Sequence, residues 1–202
     1  MPLTIDKSQT AVVALDLEND IVDERGAFKD FGFAAQVKER NVLSSARKVL
    51  DAARKAKVLV MHVGVKYRTG YPERAINCGM WQAVAQSNAL VEGSWGAQVH
   101  ADVTPLPGEP VVAKHGISAF CSSDLAAILR TKGVRNLFLM GVATNFVVEA
   151  TAREASDMGY NVYVVEDCCA AASKEAHEMA LKSALPALTT IVKSDEVIAA
   201  LK

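Results

Sequence analysis

A layered α/β protein is the fold class this sequence predicts: a mostly parallel six-stranded sheet with helices on both faces, a three-layer sandwich. Three observations predict it. Apolar runs such as TAVVALDL (10–17) and VLVMHVGV (58–65) are rich in β-branched residues and continuous rather than alternating, as strands buried on both faces are. Segments of helical periodicity separate these runs along the chain. No repeat and no low-complexity linker interrupts the alternation, so the 202 residues are expected to form one domain, 1–202.

In chain order, TAVVALDL is the first strand. NVLSSARKVLDAARKA (41–56) follows as a helix with Val42, Ala46, Val49, Leu50 and Ala53 on one face. VLVMHVGV is the second strand and EPVVAK (109–114) a short third. SSDLAAILRTKG (122–133) reads as a helix with Ser122 or Ser123 as N-cap and Gly133 as its stop. NLFLMG (136–141), NVYVVED (161–167) and LTTIVK (188–193) supply three more strands, separated by helices in NFVVEATAREASDMG (145–159) and SKEAHEMALKSAL (173–185). Residues 64–110 break the rhythm, with Tyr67, Tyr71, Trp81 and Trp95 among Gly and Pro. An irregular insertion of that length is expected to be a lid or an interface.

Composition excludes several classes. With 22 basic and 23 acidic residues, net −1, and no run of Lys or Arg, a nucleic-acid footprint is unsupported. No apolar run is long enough to span a bilayer, and MPLTIDKSQT lacks the basic-then-apolar layout of a secretion signal. Four irregularly spaced cysteines fit reduced thiols, hence a cytoplasmic protein. Cys168 and Cys169 are adjacent on a strand and point to opposite faces, which disfavours a disulfide between them.

Ligands of open α/β sheets sit beyond the carboxyl ends of the strands. That position singles out Asp16, closing AVVALD, Lys114, closing EPVVAK, and the turn after Gly141. A carboxylate and an ammonium sharing the bottom of a cleft perturb each other and can do acid–base work. Taken singly, each has a plainer reading: a loop anchor for Asp16, a solvated strand exit for Lys114.

Four segments in order carry a resemblance: Asp16-Leu17-Glu18-Asn19-Asp20; Lys114 followed by Ser118-Ala119-Phe120 and Asp124-Leu125; Gly141 through Ala152 as GVATNFVVEATA; and Glu166-Asp167. Together they resemble the isochorismatase-like hydrolases, which implies a Rossmann-like fold with strand order 3-2-1-4-5-6. The resemblance implies a general acid or base at Asp16 and a cation at Lys114 that holds Asp16 ionised and polarises developing charge. It further implies a cis peptide at Val142–Ala143, with the backbone amides of Ala143 and Val147 as an oxyanion hole. Glu18, Trp95, Phe120, Thr144, Asn145 and Phe146 are expected around a small cyclic or planar substrate. Arg68 and Arg74 are candidates to neutralise a carboxylate on it.

The departure is Val147. Cysteine hydrolases of the family attack from this position with a thiolate, which valine cannot supply. Three readings stay open: thiol-independent Asp/Lys acid–base cleavage of a vinyl ether or related bond; another nucleophile, with Cys121 nearest in sequence; or an amidohydrolase inactivated, naturally or by engineering, at the Cys position. A catalytically silent ligand-binding or scaffold protein is the rival from another class. Glu18 stands where the family has Gln and is expected to raise the pKa of Asp16 by like-charge repulsion. The nicotinamidase branch holds a metal through Asp-x-His and a further His. HVGVKYRTGYPERA (62–75) offers no such set around His62, and His100, His115 and His177 are scattered, so neither metal nor cofactor is expected. Met80, Trp81, Tyr71 and Leu90 are expected to be exposed, predicting a homo-oligomer, dimer or tetramer.

Overall fold

A computed structural model describes residues 3–202. Six strands, β1 (Thr10–Leu15), β2 (Leu59–Val65), β3 (Val111–Lys114), β4 (Asn136–Val142), β5 (Asn161–Ala170) and β6 (Thr190–Val192), form one sheet in the order β3-β2-β1-β4-β5-β6. Every neighbouring pair is parallel. All of β1 and all of β4 are buried, so the unbroken apolar runs reflect cover on both faces. β5 runs three residues past the expected NVYVVED because its register with β4 shifts between Leu139 and Gly141. Cys168 and Cys169 lie in that extension, buried and unbridged.

Nine helices flank the sheet among the described residues: α1 (Asn19–Val22), α2 (Phe33–Glu39), α3 (Val42–Lys55), α4 (Gly79–Gln86), α5 (Leu125–Thr131), α6 (Glu149–Asp157), α7 (Lys174–Lys182), α8 (Leu185–Leu188) and α9 (Ser194–Ala200). α3 packs on α9 and on β5, and α6, α7 and α8 form a second group that also packs on β5. The buried face of α3 is Val42, Ala46, Val49, Leu50 and Ala53, the stripe its spacing requires. Asp124 occupies the N-cap of α5, one residue beyond the expected serines, although Ser123 Oγ still accepts the Leu125 N–H at 3.3 Å. Gly133 ends that helix in the left-handed region at φ 67°. The segment 145–159 opens as a π-helical turn, Thr144–Val148, before α6.

The insertion is more ordered than its composition suggests, since it contains α4 and folds back over the strand ends. Trp81 and Leu90 are therefore buried, and Tyr71 is half-buried with its hydroxyl donating to the Ala89 carbonyl. Of the four residues expected to form an exposed patch only Met80 is exposed. The self-association inferred from that patch loses its premise, because Trp81 and Tyr71 pack on Tyr67 within the insertion itself.

Gly141 has φ 144°, and a Cβ there would run into the Leu15 carbonyl of β1. Gly141→Ala is expected to destabilise the fold by about 2 kcal/mol or more, read as a lower urea midpoint at unchanged m-value.

Candidate active site

β1 ends at Leu15, and Asp16 turns the chain out of the sheet in the left-handed region, φ 50°, its N–H donating to the Val63 carbonyl. Few L-residues adopt this conformation, and aspartate is among those that do. Lys114 ends β3, two strands away with β2 between. Its side chain is fully buried and crosses that gap. Nζ lies 3.0 Å from Asp16 Oδ2 and donates to the carbonyls of Gly116 at 2.8 Å and Ile117 at 3.0 Å. An ammonium has three donors, and all three are committed. Asp16 Oδ1 is buried without a protein hydrogen-bond partner.

Glu18 is 1% exposed, and neither carboxylate oxygen has a protein partner. It lies over the backbone of β2, where a Cβ at Gly64 would collide with the carboxyl group. Burial, and then the Asp16 charge, push its pKa well above the ordinary 4.5, against the opposing pull of Lys114 and Lys66. A buried carboxyl in these surroundings keeps its proton. Burial also lifts Asp16, to about 6, with Lys114 pulling it down. The expected repulsion is present but bears on Glu18; for Asp16 the cause is lost solvent.

The rest of DLEND is structural. Asn19 Nδ2 donates to the Trp95 carbonyl at 2.8 Å. Asp20 accepts the Leu90 N–H at 2.8 Å and the Ala27 N–H at 3.1 Å, pinning two loops to the strand end.

Asp16 and Lys114 open into a cavity of about 580 Å³. Val142, Ala143 and Val147 form part of its wall, and Phe28, Phe31, Phe33, Met80, Trp81 and Phe146 supply the bulky side chains. The Val142–Ala143 peptide is cis.

An isochorismatase domain profile matches residues 10–196. The chain belongs to the isochorismatase-like hydrolase family. It is 30% identical over 178 residues to the ureidoacrylate amidohydrolase RutB of Rhizobium rhizogenes, covering 82% of this chain and 72% of that one. An isochorismatase family protein from Burkholderia thailandensis superposes with a TM-score of 0.78 at 28% identity, covering 100% of this chain and 99% of that chain. A cysteine hydrolase from Pseudomonas syringae pv. phaseolicola has a TM-score of 0.87 at 22% identity, over 98% and 95%; at that identity the likeness speaks to the fold.

Within this isochorismatase-like site the expected residues divide. Asp16, Lys114, Ala143, Phe146 and Val147 line one cavity, and Glu18 adjoins it beneath Asp16 without lining it. Trp95 lies outside, 42% exposed, with the Arg25 guanidinium over its ring at 4.8 Å. Phe120 also lies outside, stacked on Tyr160 at 6.3 Å. Thr144 is fully buried with Oγ1 2.7 Å from His177 Nδ1, and so anchors α7 to the π turn rather than meeting a ligand. Asn145 is half-buried, its Oδ1 without a protein partner, and is not part of the wall. Lys114 has no donor left to polarise developing charge. Cys121 is exposed and packs on Gly116 away from the cavity.

Sequence reasoning missed Phe28, Phe31, Phe33 and Cys78. The first three sit in GAFKDFGF, a loop whose aromatic density was the available signal. Cys78 lines the cavity from the N-cap of α4, and only the refolding of the insertion brings it there. His62 bonds Glu109 at 3.3 Å. Among the described residues no three His, Cys, Asp or Glu side chains cluster as a metal site would require.

Two outcomes follow for stability. Above pH 4.5 the unfolded chain releases the Glu18 proton while the folded chain retains it, so rising pH favours unfolding. Glu18→Gln removes this slope: as pH rises above 4.5 the Tm of the wild type should fall relative to that of the variant in thermal melts. Lys114→Met leaves Asp16 buried without its cation and should cost about 3–5 kcal/mol. Adding Asp16→Asn should recover part of that loss in urea titrations.

Proposed function

We propose that this chain is a thiol-independent hydrolase of a small cyclic or planar molecule, with Asp16 as the proton-transfer group. The observation that carries the reading is Asp16 Oδ1, buried without a protein partner on an apolar cavity lined by Val147, the residue that the resemblance puts at the nucleophile position. Valine cannot form an acyl-enzyme, whereas a carboxyl group lifted to about 6 is suited to proton transfer near neutral pH.

A vinyl ether or related bond fits these groups. Protonated Asp16 gives its proton to the terminal alkene carbon, and the π electrons form the new C–H bond, leaving an oxocarbenium ion. Water adds to that ion and returns a proton to Asp16, and the hemiketal collapses to a carbonyl compound and an alcohol. Lys114 holds Asp16 in place through Oδ2 and leaves Oδ1 free. Backbone amides of Ala143 and Val147 are the proposed oxyanion site for an amide substrate, whose tetrahedral intermediate carries the negative charge that the oxocarbenium route lacks. Self-association and a cytoplasmic setting remain expectations alongside this reading.

The amidohydrolase names among the relatives favour a second reading, in which ionised Asp16 activates water against an amide. The sign of the pH dependence separates the two. With Asp16 as acid, kcat/KM on vinyl ethers should fall as pH rises through about 6, and Asp16→Asn should lose about 100-fold or more. A limb on amides rising through the same pH would replace the acid with a base. No turnover of either class, with ligand binding retained, would make the chain a silent binding protein.

A further inference from the structure

We infer that the ligand of this cavity is an uncharged, mostly hydrocarbon molecule, large enough to carry an aromatic ring and a substituent, that offers one polar group to Asp16, and that carboxylates are excluded. The inference rests on the proposed site but not on its chemistry.

Among the described residues, Asp16 and Lys114 are the only charged side chains lining the cavity. They are paired with each other, and the other two Lys114 donors go to the carbonyls of Gly116 and Ile117. Nothing is left on Lys114 to receive a ligand carboxylate without breaking a bond already made. At pH 7.5, above the value of about 6 for Asp16, the pair sums to zero charge, and burial disfavours a charge on Glu18 behind them. A carboxylate entering here would be a buried anion without a counter-charge, which costs several kcal/mol.

The basic side chains nearby are placed elsewhere. Arg68 is exposed and paired with Glu73, Arg74 lines a separate surface hollow with Gln82, and Arg25 is bound to Asp23 over Trp95. The carboxylate clamp considered for Arg68 and Arg74 is thus absent from the cavity wall.

Shape and lining agree. A cavity of about 150 Å³ holds benzene, and this one, at about 580 Å³, has room for a bicyclic or aryl-alkyl molecule. Phe31, Met80 and Phe146 line it while remaining 56%, 36% and 42% exposed, so an apolar ligand would cover surface that water now meets. This differs from what the name ureidoacrylate amidohydrolase states for a relative, since an acrylate is an anion.

The test uses two probes of one shape, 2-naphthamide and 2-naphthoate, titrated into the full chain at pH 7.5. Trp95→Phe leaves Trp81, on the cavity wall, as the sole tryptophan reporter. The amide is expected to bind with a Kd at least about ten-fold below that of the naphthoate. Met80→Lys, which adds a cation at the mouth, should narrow or reverse the gap. Naphthoate binding as tightly as the amide, or no binding of the amide, overturns the inference. Amide binding without turnover of any substrate leaves it standing and defeats the hydrolytic reading alone.

Discussion

The Lys114 ammonium organises the strand ends on which everything else is arranged. It crosses the end of β2, pairs with Asp16 beyond β1, and ties the chain after β3 to itself through the carbonyls of Gly116 and Ile117. A fully buried cation is tolerable only when each donor is answered, and here each is. Saturation has a functional cost. The lysine can fix Asp16 but has nothing to offer a ligand, so Asp16 Oδ1 is the side-chain oxygen that remains for one.

Glu18 shows how burial changes the meaning of a charge. Read as a sequence, a second carboxyl near Asp16 is a like charge. In the fold it lies against the bare backbone at Gly64 without a partner, and a protonated acid is the form such a place admits. It then resembles the neutral glutamine that the family has at this position. Asn19 and Asp20, from the same five residues, carry no such ambiguity, because each is committed to loop amides or carbonyls.

Val147 completes an apolar wall. Together with Ala143, Phe146 and the aromatic residues of GAFKDFGF it makes the cavity apolar on nearly every side. The apolar lining and a Lys114 with every donor committed favour the proposed ligand, recognised by shape and by one hydrogen bond. The strand ends fix Asp16, Lys114 and the turn after Gly141, while the bulky cavity side chains come from the segments between strands: Phe28, Phe31 and Phe33 from 26–33, Met80 and Trp81 from α4, and Phe146 from the π turn.

The parallel sheet was legible in the sequence, since unbroken β-branched runs report two-sided burial; its order and the meeting of Asp16 with Lys114 were legible only through the four-part resemblance, since strand-end position alone left each residue a plainer reading. Ala143, Phe146 and Val147 come to one cavity wall because they are local to one strand end. Trp95, Phe120 and Thr144 were misplaced because proximity in a motif does not decide which way a side chain faces. Arg25 covers Trp95, Tyr160 holds Phe120, and His177 engages the Thr144 hydroxyl. The burial of Trp81 and Leu90 and the arrival of Phe28, Phe31, Phe33 and Cys78 at the cavity were decided only by the tertiary structure. Those residues belong to segments 26–33 and 78–90 between strands, whose course over the cavity depends on long-range anchors such as Asp20 to Leu90, 70 residues apart.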